Sequence, residues 1–197
     1  MRILMLGNSY TSSNQLPDIL SAILDAEVIS HTRGGARLAE HLNPATRLGS
    51  LTQAALKKEK WDYVVLQEMS NGPLTSPGSF LRSSALLSDQ ILQNGAVPVF
   101  FATWAYQEGS PRLSDLHRSA AEMALEISRL CRQAALPEKG LVAEVGLRFL
   151  EFSADNQLYA ADGSHPSLLG TQLAADTIAT VIKNHAEKSV PDFVFPQ

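Results

Sequence analysis

The sequence predicts a three-layer α/β/α fold built on a doubly wound, five-stranded parallel sheet in the flavodoxin-like order 2-1-3-4-5. Three observations carry that expectation. Short apolar runs alternate with longer segments of helical period, the pattern of a parallel sheet covered on both faces. The ends of these runs release small, polar or aromatic residues, as expected where ligands bind outside the carboxyl ends of parallel strands. Finally, 197 residues with no Pro/Gly/Ser-rich linker and no shift in composition are read as one domain, residues 1–197.

Strands are expected at about 2–6, 27–31, 62–67, 96–102 and 140–145. The first exits into GNSYTSSN, and Pro17 then suits the first turn of a helix with Ser12, Ser13 or Asn14 as its cap. Later helices are expected at 48–58, 79–94, 113–135 and, with Pro166 at the first helical position, 166–187. In the third of these, Cys131 shares its spacing with Leu116, Ala120, Met123, Ala124, Ile127 and Ala134, which marks a buried structural thiol. The last helix carries Leu168, Ala175, Ile178 and Ile182 on one face. The closing VPDFVFPQ, with Phe193 and Phe195, is expected to pack across its own domain or a second subunit; the oligomeric state stays open.

A 45% hydrophobic content, 18% charged residues and a net charge of -4 describe an ordinary globular chain and give no support to nucleic-acid binding. No run approaches the ~18 apolar residues of a membrane span, and MRILML enters a strand at once, without a cationic region and cleavage site. The expected location is therefore cytoplasmic. One cysteine excludes an intrachain disulfide and a cysteine-based zinc site. The five histidines are scattered without an H-x-x-x-H pair, so neither a metal nor a cofactor is expected.

Chemistry is concentrated in the strand exits. In DGSHPS, Asp162 stands three residues before His165 and can accept the Nδ1 proton of the imidazole, which leaves Nε2 as a base. Ser9 leaves the first strand at the same sheet edge, and a weak alcohol nucleophile needs such an adjacent, oriented base. Acyl transfer also needs donors aimed at the oxyanion. The candidates are the Ser9 amide, the amides of Gly34 or Gly35, and the side chain of Asn71 or Gln67. Gln67, at the end of a buried strand, is also readable as a polar residue that pins neighbouring loops. Tyr10, Arg33, Trp104 and Tyr106 are candidate walls for substrate.

GNSYT, the Gly34-Gly35 loop, VVLQEMSNG and DGSHPS, in this order, resemble the four sequence blocks of the SGNH (GDSL-like) hydrolase superfamily. The resemblance implies Ser9 as nucleophile, Gly34 or Gly35 and Asn71 in the oxyanion hole, Asp162 as orienting acid and His165 as base. Asn8 stands where that family usually has Asp. The third block reads Met69-Ser70-Asn71-Gly72 in place of Gly-x-Asn-Asp, and LQE resembles a branch in which Gln67 shares the oxyanion role. No G-x-S-x-G occurs, which argues against an ordinary α/β-hydrolase.

These readings converge on a serine esterase that acts on a small-molecule ester, and the resemblance implies a short acyl group, with acetyl on carbohydrate as the leading candidate. Two other readings compete. One is a flavodoxin-like protein that cradles FMN phosphate in GNSYTSSN with Trp104 and Tyr106 around the flavin ring. The other is a carbohydrate-binding relative that retains the fold without the reaction.

Overall fold

The computed structural model describes residues 1–137, 139–152 and 157–188. Its sheet comprises β1 (Arg2–Gly7), β2 (Glu27–Thr32), β3 (Tyr63–Leu66), β4 (Val97–Phe101) and β5 (Leu141–Ala143). All neighbours are parallel, as the alternation predicts, and the order is β2-β1-β3-β4-β5, the flavodoxin-like order expected. Leu6 is in register with His31 on one side and with Leu66 on the other, so β1 is the strand at which the winding reverses.

Alternation along the buried strands sends successive side chains to opposite faces. On one face Leu4, Leu6, Val64, Leu66 and Phe100 pack beneath α4 (Arg47–Lys58), α6 (Pro77–Asn94) and α8 (Ala120–Ala135), through Leu56, Leu87, Ile91, Met123 and Ile127. Cys131 is buried in that layer, and burial raises its thiol pKa, as befits a structural cysteine. On the opposite face Ile3, Met5, Val65, Val99 and Phe101 meet α2 (Leu16–Leu24), α9 (Val145–Phe152) and α10 (Leu168–Lys188). Shorter helical turns, α1 (Ser9–Ser12), α3 (Leu38–His41), α5 (Gly72–Thr75) and α7 (Pro111–Ser114), lie in the connections.

Three expectations about the helices need correction. The segment 113–135 is interrupted: His117 adopts φ 51, and α8 begins with a capping box between Ser119 and Glu122. Pro166 lies ahead of α10, in an isolated bridge with Tyr159, and the Ser167 hydroxyl accepts from Gly170 N at 3.1 Å to start the helix. Pro17 does occupy the first turn of α2, but its N-cap is Gln15, which makes no side-chain capping bond. Two of the proposed caps have other partners: Ser13 Oγ donates to Ser9 O, and Asn14 Nδ2 donates to Pro166 O and Thr171 Oγ1; the third, Ser12, makes no side-chain capping bond. Phe193 and Phe195 lie outside the described residues. No helix among the described residues is long and apolar enough to cross a membrane.

Candidate active site

The end of β1 is built for close approach. A Cβ on Gly7 would stand 2.4 Å from Thr11 Oγ1 and 2.5 Å from Gln67 Oε1, so glycine is required by space. Asn8 then serves three neighbours. Its Oδ1 accepts from Tyr10 N at 3.0 Å and caps α1, its backbone N–H donates to Gln67 Oε1 at 2.9 Å, and its Nδ2 donates to Ala36 O at 3.1 Å. The last bond needs a donor, which an aspartate at this position would lack. Ser9 becomes the first residue of a helical turn, and its own N–H has no intrahelical acceptor.

The loop 160–165 brings the second half of the site. Gly163 turns it at φ 63, Ala160 N donates to His165 O at 2.9 Å, and Gln107 N donates to Gly163 O at 2.8 Å. Asp162 Oδ1 accepts from the backbone N–H groups of Ser164 and His165 at 3.0 and 2.9 Å, while Oδ2 meets His165 Nδ1 at 2.6 Å. His165 Nε2 lies 2.9 Å from Ser9 Oγ, so serine, imidazole and carboxylate form one continuous chain. Partial burial pulls the Asp162 pKa upward, but the hydrogen bonds from His165 and the two amides outweigh it and hold the group at about 2.

A cleft of about 360 Å³ opens over Ser9 and His165 and is bordered by Tyr10, Gly35, Asn71 and Tyr106, all expected near the site. Gly35, at φ 67, is the glycine of the pair that reaches it; Gly34 does not, and its carbonyl accepts from Arg33 instead. Arg33 belongs on the far side of that loop, exposed and ion-paired with Glu40, so it is not a wall of the cleft. Trp104 is also removed from the wall. It is fully buried, stacked between Tyr10 (4.7 Å) and Phe149 (4.6 Å), and its Nε1 donates to Ser164 O at 2.9 Å. A flavin ring has no access to a side chain so enclosed.

Gln67 is 1% exposed and is not among the residues that border the cleft; its Oε1 accepts from Asn8 N and Thr11 Oγ1 and its Nε2 donates to Glu68 O, which makes it a clasp between loops. Its neighbour Glu68 does similar work. The carboxylate accepts from Leu38 N at 3.1 Å and Met69 N at 2.8 Å, which ties the connection after β2 to the one after β3. Burial raises the Glu68 pKa, and the two amides only partly oppose that. Met69, Ser70, Arg112 and Ser164 also border the cleft. The sequence reading missed them because nothing in their local patterns marks which face of a loop turns inward.

No group of three or more His, Cys, Asp or Glu side chains among the described residues is placed to hold a metal ion. Neither a protein-family model nor a curated protein matches the chain. Solved structures do. A protein from Slackia heliotrinireducens assigned to the SGNH hydrolases is 51% identical, with a TM-score of 0.88, over 92% of this chain and 98% of its own. A DUF4886 family protein from Bacteroides uniformis aligns over 100% of this chain and 89% of its own at 19% identity and TM-score 0.71. The acetyl xylan esterase AlAXEase aligns over 92% and 100% at 13% identity and TM-score 0.69. The last two share the fold, whereas the first shares half of its residues across nearly the full length of both chains, and on that likeness this chain belongs to the SGNH (GDSL-like) hydrolase superfamily.

Proposed function

We propose that the protein is a serine esterase that works through an acyl-enzyme on Ser9. The observation that carries this reading is the unbroken chain Ser9 Oγ, His165 Nε2, His165 Nδ1 and Asp162 Oδ2, with links of 2.9 and 2.6 Å, at the floor of an open cleft. Neutral His165 takes the hydroxyl proton as Ser9 Oγ bonds to the ester carbonyl carbon. The carbon–oxygen bond to the leaving alkoxide then breaks, and the imidazolium returns the proton to that alcohol. Water, deprotonated by the same imidazole, reverses the sequence and frees the acid. Asp162 remains ionised throughout and holds the imidazole tautomer and orientation.

The negative charge on the tetrahedral oxygen is assigned to the backbone N–H groups of Ser9 and Gly35 with the side chain of Asn71. Asn71 borders the cleft together with Ser9 and Gly35, and its side-chain amide is a donor of the kind an oxyanion needs. A cleft of about 360 Å³ suits a short acyl group. Acetyl on carbohydrate is the leading class, a reading supported by the acetyl xylan esterase that shares the fold.

The test is intact mass after treatment with a fluorophosphonate. The parent protein is expected to gain one adduct, Ser9→Ala none, and His165→Ala one at a rate lower by at least 100-fold. A folded parent that gains no adduct would leave the binding-protein reading in its place.

A further inference from the structure

Arg112 sits at the cleft without a counter-ion among the described residues. It borders the same space as Ser9 and His165, and no carboxylate among the described residues lies within ion-pair distance of it. The residue is exposed, and its side chain makes two weak contacts on the cleft side. The guanidinium carbon lies 5.9 Å from the centroid of the Tyr106 ring, and Nη1 stands 3.5 Å from Ser164 Oγ, at the limit of a hydrogen bond. These contacts occupy one face and one edge of the planar group and leave most of its five N–H donors unspent.

The neighbouring hydroxyls are in the opposite condition. Tyr10 OH pairs with Ser164 Oγ at 2.7 Å, and Ser70 Oγ pairs with Tyr106 OH at 2.9 Å; all four residues are buried. The wall is thus polar but largely self-satisfied, and no carboxylate among the described residues borders the cleft, since Asp162 stands behind His165. A guanidinium beside neutral, paired hydroxyls makes a site for a planar anion, because a carboxylate can take two parallel N–H bonds from it.

We propose that Arg112 selects esters that carry a carboxylate close to the scissile bond. This rests on the esterase reading above and narrows its substrate class from small esters to anionic ones.

Three probes separate the possibilities: phenyl acetate, which is neutral; 4-acetoxybenzoate, with the carboxylate on the leaving alcohol; and mono-phenyl succinate, with it on the acyl group. The readout is the ratio of kcat/KM for each carboxylate ester to that for phenyl acetate, compared between the parent and Arg112→Met, so that intrinsic ester reactivity cancels. The ratio is expected to fall about tenfold to a hundredfold in Arg112→Met for one of the two anionic probes, and the probe affected assigns the carboxylate to the acyl or the alcohol side. In the parent it should also fall as salt rises. Ratios unchanged in Arg112→Met for both anionic probes would overturn the proposal while leaving the esterase reading intact. Direct binding keeps the two separable if no ester is turned over: calorimetry of both anionic probes with Ser9→Ala and with Ser9→Ala/Arg112→Met should show affinity for at least one probe weakened tenfold or more in the double variant. Equal affinities, or no binding to either protein, would overturn the Arg112 assignment irrespective of catalysis.

Discussion

Each carboxylate oxygen of Asp162 has its own task. Oδ1 closes the turn through the Ser164 and His165 amides, while Oδ2 faces the imidazole. Asp162→Asn is therefore expected to spare most of the loop and to lower kcat by about 10²–10⁴, since an amide can present a donor to Nδ1 and favour the wrong tautomer. Because the Asp162 pKa lies below its ordinary value, at about 2, the stability it contributes is present above pH 4 and is lost as pH falls from about 4 towards 2. Urea midpoints of the parent and Asp162→Asn should accordingly differ at pH 5 and converge towards pH 2.5. Gln67 makes a second prediction at this scale. Gln67→Leu removes the acceptor shared by Asn8 N and Thr11 Oγ1 and leaves buried donors unpaired, so a loss of about 2–4 kcal/mol is expected in denaturant titration.

At the scale of elements, the site depends on how closely α10 approaches the loop that precedes it. A Cβ on Gly170 would stand 2.2 Å from the backbone oxygen of Leu158 and 3.0 Å from Phe149. Helix propensity alone favours alanine there by about 1 kcal/mol. The clash involves backbone and outweighs that gain, so Gly170→Ala is expected to destabilise by about 1–3 kcal/mol in urea unfolding. The same element explains a sequence expectation that did not hold. Asp-Gly and His-Pro were legible as a turn entering a helix, yet Pro166 bridges to Tyr159 and the helix waits for Ser167. A proline's restricted φ suits a helical first turn and an extended bridge equally, and only the partner strand distinguishes them.

Across the whole molecule, the layer beneath α9 and α10 extends directly into the site. Phe149, Trp104 and Tyr10 form a stack, and Tyr10 in turn meets His165 edge-on at 5.5 Å. Trp104→Phe keeps an aromatic ring but leaves Ser164 O without the Nε1 donor, 2.9 Å away in the parent. We expect a loss of about 1–2 kcal/mol and a fall in kcat larger than any rise in KM, measured on the same ester. That Trp104 supports the site from behind, rather than walling it, was not readable from TWAYQEG. Aromatic residues at a strand exit have the same composition whether they face the cleft or the core. Arg33 illustrates the same limit: it is a candidate wall by sequence, but Glu40, seven residues on, draws it outward.

The sequence by itself determined the fold class, the order of the strands and the three residues that meet as serine, histidine and aspartate. Those features depend on local periodicity, on the rule that parallel strands deliver their loops to one edge, and on motifs a few residues long. Only the tertiary structure decided which residues surround them. Gly35 rather than Gly34 reaches the cleft, Gln67 is buried with its oxygen bonded to Asn8 and Thr11, and Arg112 comes into it from α7, more than forty residues from the nearest catalytic candidate. The physical reason is that a side chain's direction and partners in a loop are set by neighbours distant in sequence, whose packing no local pattern encodes.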